Sequence, residues 1–150
     1  MARARGFTLV ELLIVIAVSF ILLGVGAIRI SRASILMAES ERVARRLVAD
    51  LRFAQSQAIT DARNHYILFT SNGTKFTQYA IYRAEATGDV QVLPTRILPE
   101  GVALTGSSAR AEFTPGGDAL AAYSYTVTSP GRSYSISVVM ATGAVILQEN

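Results

Sequence analysis

Residues 1–30 read MARARGFTLVELLIVIAVSFILLGVGAIRI. A basic six-residue leader closes on Gly6, and a single carboxylate, Glu11, then stands inside an apolar run. From Leu12 to Ile28 no residue is charged and only Ser19 is polar. With Phe7 to Val10 the run reaches about 22 residues, against the ~20 that cross a ~30 Å hydrocarbon layer as helix. A secretory signal peptide would use Arg3 and Arg5 as its basic region and small residues near Gly24 to Ala27 as its cleavage site. Neither that reading nor a plain single-pass anchor explains Glu11. A charge at the centre of a membrane helix costs ~2.5–3.5 kcal/mol, which calls for a partner. Near the end of a span, snorkelling relieves part of that cost.

The rest of the composition mainly excludes. At 150 residues there is room for one domain and an appendage. The formal charge is +3, but Arg3 and Arg5 carry two units of it; without them 12 basic side chains face 11 acidic ones. No sustained basic tract remains to follow a nucleic acid. With no cysteine, disulfide scaffolds, thiolate metal sites and cysteine nucleophiles are all ruled out.

Between Arg29 and Ala62 there is neither proline nor glycine, and Leu36, Val43, Leu47, Ala54 and Ala58 recur on one helical face. Glu41 and Arg45, and also Arg46 and Asp50, are spaced to pair on the solvated face. One helix from Phe7 to Ala62 is expected, apolar in its first half and amphipathic in its second. The period then changes to two. "HYILFTSNGTKFTQYAIY" predicts a hairpin around Asn72-Gly73. Short extended pieces broken by Pro94, Pro99 and Gly101 follow a polar loop through Asp89. Further on, Tyr123, Tyr125 and Val127, and then Tyr134, Ile136, Val138 and Met140, alternate with hydroxyl residues, as in antiparallel sheet covered on one face. That face is expected to lie on the Val43–Leu47–Ala54 stripe.

The run Gly6-Phe7-Thr8-Leu9-Val10-Glu11, ahead of a long apolar segment, resembles the class III leader of type IV pilins and pseudopilins. The resemblance implies cleavage by a prepilin peptidase between Gly6 and Phe7, followed by N-methylation of Phe7. It also implies that Glu11 pairs with the Phe7 ammonium of a neighbouring subunit during assembly. One helical turn separates the two, roughly 6 Å of rise, so a one-turn offset between packed subunits would join opposite charges in a low-dielectric bundle. Farther along, "RRLVADLRFAQSQAI", "YILF", "AEFTPGGD" and "SISVVMATGAVIL" are similar to segments of the GspH/FimT-type minor pseudopilins.

The implied fold is α+β and pilin-like: a long N-terminal helix, membrane-spanning in its first half, packed against an antiparallel β-sheet head. The expected organisation is a leader over 1–6, a transmembrane and assembly helix over 7–28, an amphipathic helix over 29–62 and a β-rich head over 63–150. The implied function is that of a minor pseudopilin in a type II secretion pseudopilus, anchored by one pass in the inner membrane with its head in the periplasm. The alternative is a minor pilin of a type IV pilus, at the cell surface, acting in assembly, adhesion, twitching or DNA uptake. Implied partners are the peptidase, other pilin or pseudopilin subunits, the inner membrane before assembly, and secreted proteins.

Other chemistry is thin. His65, the one histidine, follows Asp61 by four residues, but a metal site needs a third ligand and no cluster offers one. Ser56, Asp61 and His65 are the residue types of a hydrolase triad without a nucleophile elbow. No enzyme activity, cofactor or metal is expected. "GVALTGS" (101–107) lacks the lysine of a phosphate loop, and Asn72-Gly73-Thr74 matches a glycosylation sequon at a turn. The Gly-Arg-x-Arg motif of DNA-binding FimT-like proteins is broken: Ala144 follows Gly143, and Gly131-Arg132-Ser133-Tyr134 has one arginine. DNA is therefore not an expected partner. Arg42, Arg45, Arg46 and Arg52 are read as a solvated helix face or subunit contacts.

Overall fold

No proline interrupts residues 9–61, and they form one helix, α1 (Leu9–Asp61), in a computed structural model that describes residues 8–150 and the side chains of 8–23 and 34–150. The helix starts where Thr8 caps it. The Glu11 amide donates to Thr8 Oγ1 at 3.3 Å and the Leu12 amide to the Thr8 carbonyl at 3.2 Å. Thr-x-x-Glu is the sequence of a capping box. At the other end Ala62 takes a left-handed φ of 51°, and the Arg63 amide donates to the Ala58 carbonyl at 3.2 Å. This closes the last turn as a Schellman motif, with alanine where glycine is usual.

By internal packing the chain divides between Ile35 and Leu36. The second unit, residues 36–150, holds the later part of α1 and eight strands. These are β1 (His65–Asn72), β2 (Lys75–Arg83), β3 (Val90–Ile97), β4 (Ala103–Gly106), β5 (Arg110–Phe113), β6 (Tyr123–Ser129), β7 (Arg132–Val138) and β8 (Val145–Glu149). They pair antiparallel in the order β5-β1-β2-β4-β6-β7-β8, with β3 on β2 as well. The expected hairpin forms one residue later than its Asn-Gly signal suggests. Asn72 pairs with Lys75, and the loop is Gly73-Thr74, with glycine at the position of positive φ. Pro94 lies within β3 rather than breaking it. That strand pairs with β2 alone among the described residues, and its register slips on either side of Ile81, so an edge position absorbs the missing amide.

The core forms where α1 meets the sheet. Leu47, Ala54 and Ala58 of the expected stripe are fully buried, Val43 packs at its border, and Ala44, Val48 and Leu51 join them. The buried arc of the helix is thus wider than the periodicity indicates. Opposite it lie Ile67, Phe69, Tyr79 and Ile81 from β1 and β2, with Tyr125, Val127, Ile136 and Val138 from β6 and β7. The alternation in β6 and β7 is as expected, except that β7 ends at Val138 and Met140 is exposed.

Two residues depart from simple rules. The spacing of Arg46 and Asp50 suggests a surface pair, yet Asp50 is only 7 % exposed. It accepts a hydrogen bond from Tyr79 Oη at 2.8 Å and lies 3.5 Å from Arg96 Nε, while Arg46 stays exposed. The Glu41–Arg45 pair does form, at 2.9 Å. Tyr125 sets its ring against Phe69 at a tilt of 33° with centroids 4.7 Å apart, but its buried hydroxyl has no hydrogen-bond partner. Deleting an unpaired buried hydroxyl removes a desolvation penalty without removing a bond. Tyr125→Phe should therefore leave stability unchanged or raise it by up to about 1 kcal/mol, read from the urea midpoint. A loss above that size would reveal a partner for the hydroxyl.

Candidate functional site

In the first unit the side chains from Leu9 to Leu23, apart from Glu11 and Ser19, are apolar, and they are exposed on every face of α1: Leu13 is 60 % exposed and Phe20 71 %. A helix apolar all round is stable in water only when something else covers it. Ser19 is satisfied within the helix, donating to the Val15 carbonyl at 2.8 Å. Glu11 is exposed at the third helical position, where its charge also favours the N-terminal end of the helix dipole. The Thr8-x-x-Glu11 spacing is that of a capping box, of which the structure shows the bond from the Glu11 amide to Thr8 Oγ1. Gly6 and Phe7 lie outside the described residues. Among the described residues no helix is long and apolar enough to cross a membrane.

In the second unit the His65 ring is fully buried. Its Nε2 lies 3.3 Å from Asp61 Oδ2 and its Nδ1 3.1 Å from the Arg63 carbonyl. Nδ1 is thus engaged at the helix-to-strand junction while the buried Nε2 makes no hydrogen bond, and Arg83 and Arg63 join Asp61 and Glu85 there. Ser56 is exposed and its carbonyl serves Thr60. No triad forms, and no three metal-ligating side chains gather among the described residues. The Asn72-Gly73-Thr74 sequon lies on the exposed hairpin loop.

The four helix arginines do not act alike. Arg45 pairs with Glu41, and Arg52 donates to the Val145 carbonyl at 3.0 Å, fastening β8 to α1. Arg42 and Arg46 instead line a groove of about 290 Å³ between α1 and the end of β3. At the β6–β7 turn Arg132 meets Tyr134 Oη at 3.2 Å and Glu41 and Glu149 at 3.6 Å each, so its charge is met within the head.

The loops within "AEFTPGGD" and "SISVVMATGAVIL" meet on Gln55, whose amide donates to the Gly117 carbonyl at 2.7 Å and to the Thr142 carbonyl at 3.0 Å. Gly143, at φ 63°, is buried directly beneath. Sequence reasoning gave Gln55 no role, because both of its partners lie on distant loops.

Tyr66 shows how burial tunes the head. Its hydroxyl donates to Asp89, and the Arg110 guanidinium lies 3.7 Å from the ring centroid. Burial, then the bond and charge of Asp89, push its pKa up to about 12 from the usual 10.0. Tyr79 and Tyr125 are pushed the same way, chiefly by burial. The folded state therefore holds these protons more tightly than the unfolded chain. The Tyr66 contribution is complete below the unfolded value of 10.0 and is lost as pH rises through about 12, while those of Tyr79 and Tyr125 persist to higher pH. Urea midpoints should fall above pH 10.0, and Tyr66→Phe should flatten part of that fall. An unchanged profile in that variant would contradict the assignment.

A long N-terminal helix whose later part packs on an antiparallel sheet defines a pilin-like protein. A family model described as the prokaryotic N-terminal methylation motif matches residues 1–27. A second, described as type II transport protein GspH, matches residues 43–143, more than half of the chain. The chain belongs to the GspH family of minor pseudopilins. Among solved structures it is similar to the minor pseudopilin EpsH of the Vibrio cholerae type II secretion system, with TM-score 0.63 and 13 % identity over 74 % of this chain and 97 % of that one. It is also similar to the type IV minor pilin FimU of Pseudomonas aeruginosa, with TM-score 0.58 and 18 % identity over 72 % and 91 %. At these identities the likeness is one of fold. None of the curated proteins matches the sequence.

Proposed function

We propose that this chain is a minor pseudopilin of a type II secretion pseudopilus, a structural subunit rather than an enzyme. The observation that carries the reading is the apolar surface of α1 from Leu9 to Leu23, exposed on all sides in a chain of this family. Such a surface needs lipid before assembly and other subunits afterwards. In this reading a prepilin peptidase cuts between Gly6 and Phe7 and Phe7 is N-methylated. Residues 7–28 anchor the subunit in the inner membrane with the head in the periplasm, and Glu11 meets the Phe7 ammonium of a neighbour. The type II assignment follows the GspH match and the broken Gly-Arg-x-Arg pattern at Gly143-Ala144. The likeness to FimU supports the second reading, a minor pilin of a type IV pilus.

Glu11 provides the test. Glutamine also suits the third position of a capping box, so Glu11→Gln removes the charge and keeps the cap. The variant should be cleaved and methylated normally, as read by mass spectrometry of the new terminus. Its recovery in sheared filaments should fall about tenfold or more, the loss of one buried charge pair. Normal recovery would contradict the assigned role of Glu11.

A further inference from the structure

The groove between α1 and β3 is lined by three arginines against one acid, Glu39, and only Arg96 of the three has a carboxylate beside it, that of Asp50. Arg42 and Arg46 stand one turn apart on α1, both exposed and neither in an ion pair within the described residues. Arg96 faces them from β3; its Nε lies 3.5 Å from Asp50, and the side chain remains about a third exposed. Glu39 is the single acid in the lining. The remaining walls are apolar, with Leu98 and Pro99 on one side and Ile97, 80 % exposed, at the mouth.

We infer that this groove is a docking site for an acidic, extended peptide segment of a partner protein, in which a carboxylate side chain is flanked by aliphatic residues. Guanidinium forks match carboxylates in geometry, and Arg42 and Arg46 converge with Arg96 on one small volume. The apolar walls would cover the flanking aliphatic side chains. An extended partner also suits β3, which has β2 as its sole strand neighbour among the described residues. A nucleic acid fits less well: the cations form a cup rather than a track, Glu39 would repel phosphate, and no exposed aromatic ring in the lining offers a base a stacking face. The site does not depend on which filament the subunit joins.

The test uses the full chain in detergent micelles and two fluorescein-labelled hexapeptides, Gly-Leu-Asp-Leu-Asp-Gly and its carboxamide counterpart Gly-Leu-Asn-Leu-Asn-Gly, read by fluorescence anisotropy at physiological salt. The acidic peptide should bind saturably and about tenfold or more tighter than the carboxamide one. Arg42→Ala/Arg46→Ala, at two exposed positions, should weaken it about tenfold, while Arg45→Ala, whose partner is Glu41, should not. The absence of saturable binding, equal binding of the two peptides, or unchanged binding in the double variant would overturn the proposal. So would displacement of the peptide by a single-stranded oligonucleotide at lower concentration than unlabelled acidic peptide.

Discussion

Gly143→Ala is expected to destabilise the head by about 4 kcal/mol and to lower its melting temperature by about 15 °C. Two effects add. At φ 63° an L side chain suffers the left-handed penalty, about 1–2 kcal/mol. A Cβ there would also overlap the Gly117 carbonyl oxygen, which is backbone, and the Gln55 amide. Gln55 would have to leave, breaking its bonds to Gly117 and Thr142 at about 1 kcal/mol each. Gly73→Ala separates the terms: its φ is 67°, but a Cβ there meets open space, so about 1 kcal/mol is expected. Thermal unfolding followed by the near-ultraviolet dichroism of the tyrosines reads both. Equal losses in the two variants would show that the packing of the two loops on Gln55 contributes nothing.

Asp50→Ala should have the second largest effect, about 3 kcal/mol. It strands the hydroxyl of Tyr79, a residue 2 % exposed, and takes from Arg96 the carboxylate beside it. Tyr79→Phe should cost about 1 kcal/mol, because Asp50 then keeps Arg96. The double variant should cost less than the sum, since both changes remove the same bond. Strict additivity would deny that Asp50 and Tyr79 act as a unit.

The helix and its company were legible where the information is local. The stripe of Leu47, Ala54 and Ala58 follows from a period of 3.6, the β6 and β7 alternation from a period of 2, and the β1–β2 turn from Asn-Gly. Asp50 was not legible, because its partners Tyr79 and Arg96 sit on other elements and four-residue spacing on a helix can only suggest Arg46. Ala44, Val48 and Leu51 escaped because side chains of β1, β2, β6 and β7 together cover α1 over a broad arc. Pro94 looks like a break until β3 is seen to be an edge. In the candidate site, Glu11 stands out in the sequence as an anomaly in an apolar run, and the Thr8 cap of α1 was equally present in the spacing. The pairing of Gln55 with loops 62 and 87 residues away had no local trace.

The measurement that bears most directly on the account is a deletion of this chain's gene in its host, scoring release of exoproteins alongside piliation, twitching and transformation. The account expects secretion to fail while pili and DNA uptake persist, with secretion restored by the wild-type chain and not by Glu11→Gln. Intact secretion with lost pili or lost DNA uptake would contradict it and place the subunit in a type IV pilus.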